Sequence, residues 1–250
     1  MRFDVITLFS DLFAPHLTLG VTRRAFESGR VDVKLWPLRD YADDAYHRVD
    51  DRPYGGGPGM VMLVEPLERA LAAIRASRAD AAPLVHFTPT GRRIDQSVVD
   101  EFASGLGAVL LCGRYEGIDQ RFIDRHVDME LSLGDFVLSG GELPALALLD
   151  AVARLQDGVL GDAGSHQQDS FSDGLLDCPH YSRPEILPND AGVASIPAAL
   201  LTGHHAQIAR WRREQSLSLT ARRRPDLIVA ARAAGRLSPA DEAYLVSLGI

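Results

Sequence analysis

Over the first 160 residues, short apolar blocks alternate with stretches whose apolar positions recur at helical spacing. Residues 3–8 (FDVITL) and 31–36 (VDVKLW) read as strands, with a helical stretch around 18–28 between them. Residues 37–59 form a long polar loop rich in glycine and proline. Leu67, Leu71 and Ile74 share one helical face, which predicts a helix over 65–78. Strands follow at 83–87 (PLVHF), 108–112 (AVLLC) and 127–133 (VDMELSL), with helices near 95–104 and 117–126. A further helix is predicted from Glu142 to the region of Gln156. Strands alternating with helices define an α/β domain with a mostly parallel sheet.

Beyond it the pattern changes. From Asp157 to Gly174 the chain holds glycine, aspartate, serine and glutamine with little apolar periodicity. Such a stretch is long for an internal loop of one domain and reads as an interdomain linker. Strand signals then stop. Residues 203–216 look helical, Pro225 opens another helix that Gly235 ends, and Ser238-Pro239-Ala240-Asp241 combines a cap, a first-turn proline and an early acid. The expected organisation is a ligand-binding α/β domain over 1–160, a flexible linker over 161–176 and a small all-helical domain over 177–250.

Composition narrows the class. The 250 residues are 46% hydrophobic and 24% charged, so a sizeable core is affordable without metal or disulfides. Cys112 and Cys178 are far apart and form no C-x-x-C pair, which fits a reducing compartment. No apolar run approaches the roughly 18 residues of a membrane helix, and Asp4 falls where a signal peptide would be apolar. A cytoplasmic protein away from membranes is expected. The net charge of −8 speaks against a polyanionic partner, but it is unevenly spread. Residues 177–250 carry nine basic and seven acidic side chains, and Arg210, Arg212, Arg213, Arg222, Arg223 and Arg224 surround the single acid Glu214. Arginine suits bidentate phosphate contacts, so this segment permits a nucleic-acid partner.

The most informative feature is three loops, each after a predicted strand. They are Thr88-Pro89-Thr90-Gly91, Gly113-Arg114-Tyr115-Glu116-Gly117, and the run from Gly134 to Gly141 (GDFVLSGG). Ligands bind beyond the carboxyl ends of strands in open α/β sheets, and glycine lets backbone approach a ligand. Each loop alone reads as a tight turn. Together they point to a pocket of main-chain groups walled by Phe136, Leu138 and Pro144, suited to an uncharged heterocycle such as adenine. No phosphate-loop or dinucleotide fingerprint is present. A fourth cluster, Gly55-Gly56-Gly57-Pro58-Gly59, lies in a loop and reads as a flexible or tightly packed segment near a partner.

Five motifs in order, DDRPYGGGPGM (50–60), LCGRYEGID (111–119), LGDFVLSGGELP (133–144), DSF (169–171) and LLDCPHYSRP (175–184), resemble the bacterial tRNA (guanine-N1)-methyltransferases that modify guanosine 37. The likeness runs from residue 1 to about 225. That family belongs to the SPOUT superfamily, so the resemblance implies a deep trefoil knot, S-adenosylmethionine held in knotted loops, a tRNA substrate and a homodimer with active sites shared between chains. Its cofactor contacts fall on Thr88, Pro89, Thr90, Gly113, Tyr115, Glu116, Ser132, Leu133, Gly134, Asp135, Phe136, Val137, Leu138, Gly140, Gly141 and Pro144. Phe136 stands where many relatives have tyrosine, which keeps the ring and drops a hydroxyl. Dependence on Mg²⁺ is also implied, but Glu116, Asp135 and Asp169 have no metal-ligand spacing, and no metal site is assigned.

Guanine N1 carries a proton when neutral, so methylation there needs a base, and the charge spreading to O6 needs a cation or donor. The resemblance places the base at Asp169 and the supporting arginine at Arg154. Taken alone, Asp169 reads as a solvated turn residue and Arg154 as a last-turn arginine complementing its helix dipole. Because Asp169 lies in the linker, the expectation is that tRNA binding orders it. The arginines of the C-terminal part would contact tRNA backbone. His180 reads as structural, His204 and His205 as possible RNA contacts, and Cys178 lacks an activating neighbour. Competing readings are another SPOUT enzyme acting on a ribose 2′-hydroxyl, and an RNA-binding module without catalysis.

Overall fold

Strand β1 (Arg2–Thr7) is buried from Phe3 onward, as a central strand of a sheet covered on both faces must be. Even its charged residue is inside. Asp4 is held by Trp36 Nε1 at 2.8 Å, Arg2 at 2.7 Å and Arg78 at 2.6 Å, which satisfies a carboxylate that could not otherwise be buried. The computed structural model describes residues 1–161, 168–189 and 192–250, and the chain divides into two units, Met1–Ala163 and Gly164–Ile250.

In the first unit β1 leads to the short helices α1 (Ala14–Thr18) and α2 (Arg23–Glu27), then to strand β2 (Asp32–Pro37). The single helical stretch expected around 18–28 is therefore corrected. It is interrupted between α1 and α2, where Gly20 takes a positive φ of 75° that ends regular helix. The two-residue strands β3 (Asp50–Asp51) and β4 (Val61–Met62) pair antiparallel around the glycine-rich loop. Helix α3 (Val64–Ala76), strand β5 (Leu84–Arg93), helix α4 (Gln96–Ser104) and strand β6 (Val109–Leu111) follow. Helix α5 (Gln120–His126), strand β7 (Met129–Ser132) and helix α6 (Glu142–Arg154) complete the unit.

The sheet order is β2-β1-β6-β5-β7, parallel throughout. One face packs Phe3, Val5, Val85 and Leu110 against Leu148 and Val152 of α6; the other packs Ile6, Val109 and Leu111 with Leu67 and Ile74 of α3. Parallel pairing brings the carboxyl ends of β5, β6 and β7 to one edge. The first loop is not a clean strand exit. Both Phe87 and Arg92 pair with Leu131, so Thr88–Gly91 is a bulge within β5, and the strand resumes to Arg93. A Cβ at Gly91 would lie 2.4 Å from the backbone of Glu130, so only glycine closes this bulge.

The second unit corrects the all-helical expectation. Strands β8 (Ile186–Asn189) and β9 (Gly192–Ser195) form an antiparallel hairpin ahead of the helices. Helix α7 (His205–Arg223) runs past the expected end because Leu217 and Thr220 continue its buried face. Helix α8 (Pro225–Ala233) starts on its proline, and α9 (Pro239–Ser247) has a capping box between Ser238 and Asp241. Leu175, Leu217, Ile228, Ala231 and Leu245 form the core of this unit. Of the predicted linker, residues 162–167 lie outside the described residues. Residues 168–176 build a turn packed on their own unit.

Candidate active site

The three glycine-bearing segments line one cavity of about 300 Å³ at the carboxyl edge of the sheet. Thr88 and Pro89 come from the bulge, Gly113, Tyr115 and Glu116 from the loop after β6, and the third loop supplies Ser132, Leu133, Gly134, Phe136, Val137, Leu138, Gly140 and Gly141, with Pro144 behind. Thr90 and Asp135 do not line it. Thr90 Oγ1 lies 3.0 Å from Thr88 Oγ1, and Asp135 is ion-paired with Arg93. Gly141 N–H donates to Gly113 O at 3.0 Å, and a Cβ on Gly141 would fall 2.7 Å from Cys112 Cα. The second and third loops can approach this closely only through that glycine.

Tyr115 holds a positive φ of 61°, and burial together with the facing Asp50 carboxylate pushes its phenol up. The glycine cluster at 55–59 is seated beside this loop. Glu116 N–H donates to Met60 O at 3.0 Å, and a Cβ on Gly59 would collide with the Glu116 side chain. Six lining residues are absent from the expected cofactor contacts: His86, Phe87, Arg114, Gly117, Leu131 and Ser139. His86 lies within a strand, where its apolar neighbours conceal it. Its Nδ1 is buried without a hydrogen-bond partner, 3.5 Å from Glu130, and burial pulls its basicity down.

Arg154 does not line this cavity. Arg154, in the last turn of α6, lines a separate surface depression with Leu12, His16, Leu19, Val21 and Asp150. Asp169 belongs to the second unit, half-buried in a depression lined also by Asp173, Cys178, Arg212 and Arg213. Its turn is tightly built. Ser172 N–H and Oγ donate to Asp169 O at 3.2 and 2.5 Å, Phe171 N–H donates to Leu175 O at 2.6 Å, and Asp177 N–H to Ser170 Oγ at 2.9 Å. Phe171 takes a positive φ of 76°. Leu176 N–H donates to Thr220 Oγ1 at 2.9 Å, and Leu175 enters the core, which ties the turn to α7.

The remaining candidates sort by partner. His180 Nε2 lies 2.8 Å from Asp177 Oδ2, and His204 Nδ1 accepts from Gln207 N–H as the cap of α7. Burial pushes the Cys178 and Cys112 thiols up, so neither is an activated nucleophile. Arg210, Arg213 and Arg224 are ion-paired with Glu214, Asp241 and Asp226. Arg212, Arg222 and Arg223 are exposed and enter no described salt bridge. Among the described residues, Asp177, Cys178 and His180 are the one grouping with ligand atoms close enough to share a metal ion. Glu116, Asp135 and Asp169 are not part of it. Among the described residues no helix is long and apolar enough to cross a membrane.

A parallel sheet whose carboxyl-edge loops close on a cavity of main-chain groups and apolar walls defines an α/β protein of the small-ligand-binding class. The chain belongs to the family described as tRNA (Guanine-1)-methyltransferase TrmD, whose profile matches residues 1–230. It is 76% identical to a tRNA (guanine-N(1)-)-methyltransferase of Leptothrix cholodnii over 248 residues, 99% of each chain. A protein of the same name from Methylibium petroleiphilum is 73% identical, covering 99% of this chain and 98% of its own. One from Bordetella pertussis is 58% identical over the same shares. The family is of the SPOUT type.

Proposed function

We propose that this chain transfers a methyl group from S-adenosylmethionine to N1 of guanosine 37 in tRNA. The observation that carries the reading is the meeting of three glycine-bearing loops in one cavity, in a chain of the tRNA (Guanine-1)-methyltransferase family. The cavity fits the donor. Its volume is at the lower end for small-molecule sites, Phe136, Leu138 and Pro144 offer apolar contact to an adenine, and the glycines leave main-chain amides open. Bound there, S-adenosylmethionine would supply a methyl group made electrophilic by its sulfonium. We retain the knotted threading of these loops as part of the proposal, which the close pairing of Gly141 with Gly113 supports.

Neutral guanine N1 cannot act as a nucleophile while it holds its proton. In this reading the Asp169 carboxylate removes that proton, and the Arg154 guanidinium faces the charge that develops on O6. Arg154 lies beside Leu12, Leu19 and Val21, all of which are apolar and exposed on the first unit. We assign that face to a homodimer contact, with the linker and C-terminal unit of one protomer completing the pocket of its partner. The C-terminal unit would grip tRNA through Arg212, Arg222 and Arg223, and the target base would be read on its edges after leaving the stack.

The test is to incubate the protein with a tRNA transcript and labelled S-adenosylmethionine, then identify the product nucleoside by mass spectrometry and its position by primer extension. N1-methylguanosine at position 37 is expected. A 2′-O-methyl product, another position, or no transfer overturns the reading.

A further inference from the structure

Among the described residues Arg114 is the one arginine in the wall of the cavity, and its surroundings are more constrained than a solvated side chain requires. Its NH2 lies 2.9 Å from Glu142 Oε2, and NH1 donates to both the carbonyl and the hydroxyl of Ser139 at 3.2 Å. The guanidinium carbon sits 4.4 Å from the centre of the Phe9 ring. The Glu142 side chain is 1% exposed and accepts a hydrogen bond from Thr7 Oγ1 at 2.8 Å. A Cβ on Gly140 would fall 2.3 Å from Arg114 Nε, so the glycine leaves the passage through which the arginine reaches its partners. Arg114 thus ties the loop after β6 to the loop after β7 and to the first turn of α6.

We propose that Arg114 is a positioning residue for the methyl donor, holding the third loop closed while Glu142 cancels its charge; the inference rests on the cavity's taking S-adenosylmethionine. The pair is close without being aligned as a hydrogen bond, since Glu142 Oε2 has no hydrogen-bond partner, so its effect is mainly Coulombic. That cancellation matters beside a ligand whose sulfonium is itself cationic. An unpaired guanidinium in the wall would repel the donor and leave its neutral thioether product unaffected.

Binding of S-adenosylmethionine and of S-adenosylhomocysteine is measured by calorimetry on the full chain, with KM and kcat from single-substrate titrations. Arg114→Met should raise the KM for S-adenosylmethionine by about tenfold or more while leaving the KM for tRNA unchanged. Glu142→Gln should weaken the sulfonium ligand more than the thioether. Ser139→Ala, which removes one hydroxyl and no charge, should give a smaller loss of the same kind and covers the case in which the Arg114 variant does not fold. An equal fold-loss against wild type for both ligands in the Glu142 variant, or an unchanged KM for the donor in the Ser139 and Arg114 variants, overturns the inference. A wild-type protein that binds neither ligand overturns the donor reading itself and this inference with it.

Discussion

Arg213 grips Asp241 with two parallel contacts, Nε to Oδ1 at 2.9 Å and NH2 to Oδ2 at 3.0 Å, while NH1 pairs with Asp173. Asp173 lies in the turn that carries Asp169, and Asp241 is the capping-box residue of α9. One arginine of α7 therefore fastens the start of the unit to its last helix.

The Arg213 contact holds the Asp241 carboxyl below the usual carboxylate range. A group depressed in the folded state adds stability above its unfolded value near pH 4 and loses it as pH falls through the folded value. Asp241→Asn should destabilise the unit by about 1–3 kcal/mol at neutral pH, as expected for a charged group losing its partner. The variant should also show a flatter stability profile on acidification. Thermal denaturation between pH 7 and pH 3 checks both. An unchanged profile would mean that Asp241 is not the titrating group.

Gly141 faces the backbone of Cys112 with no room for a methyl group. Gly141→Ala should push the third loop off the second and weaken S-adenosylmethionine by about tenfold, with tRNA affinity retained. Calorimetry with the donor and filter binding with tRNA separate the two effects. Parallel loss of both would point to general unfolding instead.

Asp169 belongs to the second unit, and the three loops of the cavity belong to the first. Asp169→Ala should abolish methyl transfer, losing at least the 100-fold typical of a general base, while donor binding stays within about twofold. Single-turnover transfer and equilibrium binding on the same preparation provide the check. Comparable losses in both measurements would remove the residue from the role of base.

Arg222 and Arg223 are exposed, whereas Arg224 is engaged with Asp226 at 2.7 Å. Replacing the first two with alanine should lower the slope of log affinity against log salt by roughly 0.7–0.9 for each phosphate contact removed. Arg224→Ala should change the slope less. Titrations of tRNA across a salt series decide the matter, and an unaltered slope in the double variant would exclude phosphate contact.

Leu67, Leu71 and Ile74 repeat on one helical face, and α3 forms where that repeat predicts it, because local periodicity and burial agree. The C-terminal hairpin was missed because Ile186, Leu187 and Val193 are exposed and give no alternating buried face for a pattern to reveal. The bulge at Thr88–Gly91 looks like a loop in the sequence because its strand resumes through pairing with β7, a contact remote in sequence.

The order of residues by itself determined the alternation of strands and helices, the positions of the caps, and the three glycine-bearing loops, since each depends on neighbours within a turn or two. Only the tertiary structure decided that these loops share a cavity, that Arg114 reaches Glu142 and Ser139, and that Arg154 lies outside that cavity. Those outcomes depend on which strand edges meet, and parallel pairing joins segments dozens of residues apart whose attraction no local pattern records.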